Sequence, residues 1–409
     1  MTQAAVNNLP TSEQRDLSAV RPLLFKGGLG AGVLGLVGAI AFAAGAKDWT
    51  LLGLSYLTAL AYFLSISLGA LCFVLLQHAT RAGWSVTVRR LAELMAANVW
   101  ILGVLTIPVL VFADQIYLHW AADHGHLPHA KSVWLSKPFF SFRVIVYFLI
   151  WIGMSRYFLG GSLEQDDTGD RRITERLERR APFLVLVFAL TLTYGAWDLF
   201  MSLDPHWYST MFGVYYFAGS MIAFFASSIL ILRFCQARGI LTRSVTLEHY
   251  HDLGKFLFTF VFFWGYIAYS QYMLIWYGNL PEETAWFDRR GATTHPDQSI
   301  GWWKAVSVVL VVGHLLIPFP GLVSRWAKRL LGLLTFWCIW MLVFHFVDLY
   351  WVIVPAWKDG QEGALLVPLL CWIGVGGLWL ASLVCLAGDK SLVSGRDPRL
   401  HEAAAFENY

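Results

Sequence analysis

Two ionisable side chains lie three residues apart in an apolar segment near the C-terminus, in the order His345-Phe-Val-Asp348. Residues at this spacing share one face of a helix, so the carboxylate can orient the imidazole and raise its proton affinity. Ionisable groups are costly at membrane depth and are usually kept there for function. We therefore predict a proton relay through this pair, extended by further polar residues of the same half of the chain: His314, Tyr266, Tyr269, Gln271 and Lys255.

The alternative is that the residues extending the relay have a purely structural role, since hydroxyl and amide groups commonly form hydrogen bonds between helices in membrane bundles. Relay and helix bonding both stay open at the level of sequence.

A second group of polar residues falls near one end of the predicted spans. At about 1.5 Å of rise per residue, Asp198 lies in the outer third of the fifth span and Arg143 at a similar depth in the fourth. The sequence thus predicts an Asp–Arg pair, which is either a structural ion pair or part of a quinone or substrate site. Two neighbours complete this candidate outer polar site, Asp114 and Tyr194.

The segment between the third and fourth spans is rich in possible metal ligands, with four histidines and two acids between Asp114 and His129. Their spacing matches neither a helical H-E-x-x-H motif nor a Cys/His zinc motif. We therefore assign no metal to this chain and expect the loop to contact a partner. Its members are Asp114, His119, Asp123, His124, His126 and His129.

The elements that must position these residues are membrane helices. The chain has 409 residues, of which 57% are hydrophobic and only 14% charged, and its mean hydropathy is +0.56. About 20 apolar residues span a bilayer as a helix. The sequence therefore predicts an all-α polytopic protein, with a membrane domain over 23–388 between polar tails at 1–22 and 389–409. Its ten spans are 23–44, 51–76, 91–112, 139–160, 181–203, 210–232, 252–275, 302–320, 330–354 and 364–387.

The distribution of Lys and Arg predicts the orientation, because positively charged short loops stay on the cytoplasmic side. With both termini inside, 19 of the 30 Lys and Arg residues lie in inner segments, 6 in outer segments and 5 within spans. We expect a bacterial inner membrane protein with cytoplasmic termini. The net charge of +3 follows from this topology and does not indicate nucleic-acid binding.

The chain itself is not expected to carry a redox centre. Its five cysteines are scattered and form neither a Cys-x-x-Cys pair nor the Cys-x-x-Cys-His haem attachment motif. A Gly-x-Gly-x-x-Gly match at Gly30, Gly32 and Gly35 lies inside an apolar span and follows no strand, so we read it as a helix-packing surface.

The most specific string is the run from Tyr269 to Thr284, Tyr-Ser-Gln-Tyr-Met-Leu-Ile-Trp-Tyr-Gly-Asn-Leu-Pro-Glu-Glu-Thr, preceded by Leu253-Gly-Lys-Phe-Leu-Phe. With the ten-span plan it resembles the polysulfide-reductase-type (NrfD-like) membrane subunits. Within them it is most similar to the second such subunit of alternative complex III, a bacterial quinol:electron-acceptor oxidoreductase. The signature falls on Ser270, Gln271 and the turn from Pro281 to Thr284.

The resemblance implies two four-helix bundles, helices 2–5 and 6–9, flanked by helices 1 and 10. It also implies a structural subunit with a proton path and no redox centre. Iron–sulfur clusters and c-type haems would belong to partners: an iron–sulfur/molybdopterin-like subunit and c-type cytochromes, beside a sibling NrfD-like subunit, lipids and, in some assemblies, a terminal oxidase. The chain lacks a histidine in the outer third of helix 3 or 4, so the sibling is the better candidate for quinol oxidation, and quinone contact here stays open.

Two other functions share parts of this pattern. A quinone-binding anchor of another iron–sulfur oxidoreductase would use the same chemistry with different partners. A secondary transporter would need helices broken at mid-membrane in both halves, whereas the prolines here mostly lie near span ends, as at Pro108, Pro318, Pro320 and Pro355.

Overall fold

The protein is an all-α membrane-type bundle. The structure, a computed structural model, describes residues 13–122, 127–292, 301–360 and 363–407. Within them, ten helices are long and apolar enough to cross a membrane, which confirms the predicted fold class. In chain order they are α1 (Arg21–Ala46), α2 (Trp49–Ala79), α3 (Val86–Val111), α4 (Lys137–Thr168), α5 (Arg171–Leu203), α6 (Phe212–Ala237), α7 (Leu247–Gly278), α8 (Trp302–Val323), α9 (Leu331–Trp357) and α10 (Leu366–Ala387).

Local sequence signals set several helix ends. Asp48 precedes α2, and its carboxylate accepts a hydrogen bond from the Leu51 amide at 2.9 Å. Such N-caps satisfy amide groups that the first helical turn leaves without partners. Gly169 ends α4 with a φ of +70°, a left-handed conformation that glycine adopts without a steric penalty. Asp170 then caps α5 by accepting from the Arg172 amide.

The segment between α4 and α5 differs from the expected loop over 161–180. Only Gly169 and Asp170 separate the two helices, and both helices extend beyond their apolar parts. Glu164 and Arg176 form an ion pair at 2.7 Å between these extensions. The alternating charges of this segment therefore belong to solvated helical turns.

Helices 2–5 and 6–9 form the two predicted bundles, which meet through α2 and α6. The apolar part of α2 is 94% buried, because this helix packs against α3, α4 and α5 on one side and α6, α9 and α10 on the other. In the second bundle, α6 packs against α7 and α9, and α8 lies against α7 and α9.

Glycines bring α1 and α10 into close contact. A Cβ atom on Gly35 would lie 2.6 Å from the backbone nitrogen of Gly374, and one on Gly377 would lie 2.4 Å from that of Gly32. Small residues permit such an approach of two membrane helices. Gly32 and Gly35 thus pack helices, as predicted, whereas a Cβ on Gly30 would have no atom within 4 Å.

The two tails lie together across one end of the bundle, which we call the tail side. The end that carries residues 113–122, 127–136 and 279–292 is the loop side. Gln14 pairs with Ile240, and the Leu392 amide donates to the carbonyl of Arg15 at 2.6 Å. Asp397 forms a buried ion pair with Arg89 at the start of α3. The described parts of both tails therefore pack on their own chain.

Candidate functional site

A cluster of buried polar side chains lies where four helices of the second bundle meet. We call it the central cluster. His314 and His345 are 0% exposed and Asp348 is 1% exposed. At about 1.5 Å per residue, His345 lies about 21 Å from the tail-side end of α9, near mid-membrane. The members of the cluster are Tyr215 of α6, Trp264 of α7, His314 of α8, and His345 and Asp348 of α9.

The carboxylate of Asp348 accepts two hydrogen bonds, one on each oxygen. The Tyr215 hydroxyl donates to Oδ1, and the Trp264 indole donates to Oδ2 at 3.2 Å. These donors come from α6 and α7, so the carboxylate joins three helices. No hydrogen bond joins Asp348 to His345 among the described residues, so the carboxylate does not orient this imidazole directly as the sequence predicts.

The two histidines have unused hydrogen-bonding capacity. His345 Nε2 lies 2.8 Å from the Ser65 hydroxyl of α2, but its Nδ1 has no hydrogen-bond partner among the described residues. Both ring nitrogens of His314 also lack partners there. A buried polar atom without a partner costs about 1–3 kcal/mol. Three such atoms lie in this one cluster.

Local features of the backbone position both imidazoles. His314 lies in a π-helical turn over Val311–Leu316, an irregularity that is frequent at functional sites. Its ring centroid is 3.9 Å from that of Trp264. Gly219 of α6 leaves space beside His345, since a Cβ there would lie 3.0 Å from Cε1 and 3.3 Å from Nδ1.

This arrangement suits proton exchange or metal binding. One ligand atom from each of His314, His345 and Asp348 lies within 4.8 Å of the others. At such a separation a proton can move between an imidazole and a carboxylate through one water molecule. Two imidazoles and a carboxylate are also donor types that bind transition metals, so metal content has to be measured in any test of the cluster.

The predicted Asp198–Arg143 pair is present near the loop side. Arg143 donates two hydrogen bonds to the carboxylate, from Nε and Nη2, each at 2.8 Å. The Tyr147 hydroxyl and the Trp134 indole donate to the same carboxylate at 2.8 and 3.0 Å. Asp198 is 1% exposed and Arg143 6%. We call Trp134, Arg143, Tyr147 and Asp198 the loop-side cluster. Their polar groups form hydrogen bonds with one another, as expected of a structural ion pair.

Two residues predicted for this outer site form no hydrogen bond with Asp198 or Arg143 among the described residues. Asp114 forms an ion pair with Lys137, and both side chains are about half exposed. Tyr194 is partly exposed, and its ring lies against those of Trp134 and Trp197. Of the histidine-rich segment, His119 lies in a π-helical turn over Leu118–Ala122 and His129 begins a short helix, whereas Asp123, His124 and His126 lie outside the described residues.

The four predicted extensions of the relay in α7 lie away from the central cluster. Tyr266 and Tyr269 are 59% and 62% exposed on the outer surface of the bundle. Lys255 forms an ion pair with Asp252 at the tail side. Gln271 is buried, but its side-chain oxygen accepts a hydrogen bond from Ser209 at 3.2 Å. Rotation separates Tyr266 and Tyr269 from Trp264, by about 200° and 140° at about 100° per residue, whereas Gln271 shares the face of Trp264 and lies about 10 Å further along the helix.

Several residues of the site were not predicted from the sequence. Tyr215 and Trp264 are two of many aromatic residues in apolar spans, and no spacing rule marks them. Arg290 was counted only as a charge of an outer segment. It is 4% exposed and donates to the carbonyls of Trp351 and Val352 at the end of α9, at 3.0 and 2.6 Å. Cations favour helix C-termini, but sequence does not show which loop arginine reaches one.

Burial and a neighbouring positive charge both lower the pKa of Arg290. Desolvation, with a smaller contribution from Arg289, holds its pKa below the ordinary arginine value, while the nearby Tyr215 hydroxyl acts in the opposite direction. The guanidinium also lies 3.4 Å from the ring centroid of Trp286. Arg290 thus places a positive charge between the loop side and the central cluster.

No family model matches this chain, and no curated protein matches it at the threshold of the comparison.

Proposed function

We propose that this chain is a proton-transferring membrane subunit of a respiratory quinol-oxidising complex. The observation that carries the proposal is the central cluster, in which two imidazoles lie beside a carboxylate with three ring nitrogens unpartnered among the described residues. Buried ionisable groups within a membrane bundle are typical of proton relays. A water molecule that entered the cluster would supply hydrogen bonds to these nitrogens and could carry a proton between them.

The elements around the cluster favour a relay between the two bundles. Ser65 contacts His345 from the first bundle, and Tyr215 contacts Asp348 from α6. Hydroxyl groups both donate and accept hydrogen bonds, so they can pass a proton onward. We assign His345, Asp348 and His314 as the exchanging groups, and Ser65 and Tyr215 as their connections to either side.

The resemblance supplies the identity of the complex. We propose that the chain corresponds to ActF, the second NrfD-like subunit of alternative complex III, and braces that assembly without a redox centre of its own. The sibling NrfD-like subunit, an iron–sulfur/molybdopterin-like subunit and c-type cytochromes would transfer the electrons. The two-bundle arrangement supports this assignment, and the concentration of Lys and Arg on the tail side supports cytoplasmic termini in a bacterial inner membrane.

A contact with quinone is favoured by one separate observation. An apolar cavity of about 610 Å³ opens between α1, α2, α3 and α10 in the loop-side half of the bundle. Trp49, Tyr56 and Phe112 are among its lining residues. Aromatic, largely apolar cavities of this size suit lipophilic ligands. We propose that an isoprenoid quinone binds in this cavity. The loop-side cluster is less suited, because its polar groups already form hydrogen bonds with one another.

The relay can be tested in the intact complex with Asp348→Asn, which keeps the shape of the side chain and removes the titratable group. We expect quinol oxidation to continue while proton movement across liposomes falls at least about tenfold, because a positioned acid–base group contributes about 10²–10⁴-fold. Subunit composition and metal content are measured on the same preparation. A stoichiometric metal lost in the variant would favour the metal-binding alternative.

Two tyrosines provide a matched control. Tyr215→Phe removes the hydroxyl that donates to Asp348, and Tyr147→Phe removes the one that donates to Asp198. We expect slower proton movement only in Tyr215→Phe. Equal behaviour of both variants, together with unchanged proton movement in Asp348→Asn, would make the central cluster structural.

The partners distinguish the remaining alternatives. Co-purification with c-type cytochromes and an iron–sulfur subunit would support the alternative complex III assignment. A different iron–sulfur oxidoreductase would indicate an anchor for that enzyme. A chain that purified alone and moved a solute without quinol would be a transporter, and the proposal would be wrong.

A further inference from the structure

The hydrogen bonds of one serine in α2 determine which ring nitrogen of His345 carries the hydrogen. A neutral imidazole has one nitrogen that donates a hydrogen bond and one that accepts, and the partners of the ring set which is which. Ser65 is fully buried in α2, and its hydroxyl oxygen lies 2.8 Å from Nε2 of His345. The direction of this hydrogen bond follows from the other contact of Ser65.

The single hydrogen of the Ser65 hydroxyl is already used within α2. The hydroxyl donates to the carbonyl oxygen of Tyr62, three residues earlier, at 2.6 Å. Hydrogen bonds between two oxygens are about 2.5–3.0 Å long, so the hydrogen lies between these two atoms; without it, two lone pairs would repel each other there. The hydroxyl has no second hydrogen to give to His345. Ser65 therefore accepts a hydrogen bond from Nε2, which makes His345 the Nε2–H tautomer.

The other ring nitrogen, Nδ1, therefore keeps a lone pair next to the carboxylate of Asp348. A Cβ atom on Gly219 would lie 3.3 Å from Nδ1 and 3.8 Å from Oδ2 of Asp348, so these two atoms border the same space. An ionised carboxylate only accepts hydrogen bonds. Both sides of the space are thus acceptors, and the group that fits between them is a hydrogen-bond donor, such as a water molecule that carries a proton.

The opposite tautomer would remove this acceptor. A hydrogen on Nδ1 would be donated toward the Asp348 carboxylate, and Nδ1 would have no lone pair for an arriving proton. Imidazoles that exchange protons are held in the useful tautomer by a neighbouring hydrogen-bond partner, as the buried aspartate does in serine proteases. At His345 the hydroxyl oxygen of Ser65 has that position, on the Nε2 side of the ring.

We infer that Ser65 is a positioning residue of the central cluster, which keeps Nδ1 of His345 as the nitrogen that takes up a proton. The location of the hydrogen on Nε2 follows from the contacts of Ser65 alone. The use of Nδ1 in proton transfer rests on the proposed function. The two parts are therefore tested by separate measurements.

Nitrogen NMR of the intact assembly, labelled with ¹⁵N-histidine, distinguishes the two tautomers. The signals of His345 are identified by their absence in His345→Gln. We expect the Nε2–H tautomer in the unmodified protein. In Ser65→Ala a hydrogen on Nε2 would have no acceptor, whereas a hydrogen on Nδ1 would have Asp348. We therefore expect the ratio of Nε2–H to Nδ1–H to fall at least about tenfold in this variant, as a hydrogen bond to a charged group predicts.

A second buried serine provides the matched control. Ser220 of α6 donates to the carbonyl of Tyr216 at 2.8 Å and forms no hydrogen bond with a histidine among the described residues. We expect Ser220→Ala to change neither the tautomer of His345 nor proton movement across liposomes. Ser65→Ala should slow proton movement in proportion to the lost Nε2–H fraction. Any effect of simply losing a buried hydroxyl is common to both variants.

The tautomer and the proton movement together decide the inference. An Nδ1–H tautomer in the unmodified protein, or an unchanged ratio in Ser65→Ala, would overturn it. A shifted ratio with unchanged proton movement would overturn the positioning role if Asp348→Asn does slow proton movement. If Asp348→Asn also leaves proton movement unchanged, the proposed function fails and the positioning role with it, while the assigned tautomer stands.

Discussion

Removal of the negative charge of Asp198 is expected to destabilise the protein strongly, because it leaves the Arg143 guanidinium buried without a counter-charge. Asp198 accepts four hydrogen bonds, two of them from Arg143 at 2.8 Å. Loss of one partner of a buried ion pair costs about 3–5 kcal/mol. We therefore expect Asp198→Asn to lower the free energy of unfolding by about 3–5 kcal/mol.

Two further variants separate the charge from the individual hydrogen bonds. Tyr147→Phe removes one of the four bonds and should cost about 1–3 kcal/mol. Arg143→Met/Asp198→Leu removes both charges, and replacement of a whole buried pair by apolar residues is often neutral. The double variant should therefore be more stable than Asp198→Asn. Unfolding is measured by SDS titration in mixed micelles, followed by circular dichroism.

A cost below about 1 kcal/mol for Asp198→Asn would refute this reasoning, given the range for buried pairs. The reasoning would also fail if the double variant lost the sum of the two single effects, since residues in direct contact should be coupled. A substrate site would give a different result: quinol oxidation would fall in Asp198→Asn while the unfolding curve stayed in place.

Two other predictions concern helix packing and the tail. Gly35→Ala should lower stability by about 1–3 kcal/mol through overpacking against Gly374, whereas Gly30→Ala, with no atom within 4 Å of its Cβ, should not; SDS titration compares them. Burial raises the pKa of Glu13, but hydrogen bonds from Ser244 and the neighbouring amides outweigh it and hold the pKa below its usual value. Because its pKa is lowered in the folded state, Glu13 stabilises the docked tail at a pH above the unfolded pKa, and this stabilisation is lost as the pH falls through the folded pKa. Proteolysis of the N-terminal tail should therefore accelerate on acidification. In Glu13→Gln the rate of proteolysis should not depend on pH in this range.

Hydropathy was sufficient to predict the ten helices, because the bilayer imposes their length and leaves few alternatives for a polar backbone. Depth along a helix was also predictable, since it follows from rise per residue. For this reason Arg143 and Asp198, on neighbouring antiparallel helices, were correctly paired.

Rotation about the helix axis was not predictable in the same way. An amphipathic helix shows which face is buried, but α7 and α9 are apolar on nearly every side, so polarity does not fix their orientation. Tyr266 and Tyr269 were therefore predicted within the bundle, and the structure places them on its surface. Tyr215 and Trp264 were missed for the same reason, because only the packing of α6 and α7 shows that they face Asp348.

The two buried carboxylates differ in their hydrogen-bond partners, which the structure shows and the sequence does not. Asp198 and Asp348 are the same residue type, equally buried and each within a long helix, so composition and spacing treat them alike. Around Asp198 the chain supplies four donors and a full counter-charge, and nothing remains for an outside group to bind. Around Asp348 it supplies two neutral donors, and three nitrogens of the two nearby imidazoles have no hydrogen-bond partner in the described part of the chain. Because most buried polar groups in proteins are hydrogen-bonded, we propose the central cluster rather than the loop-side cluster as the place where a water molecule or a proton enters.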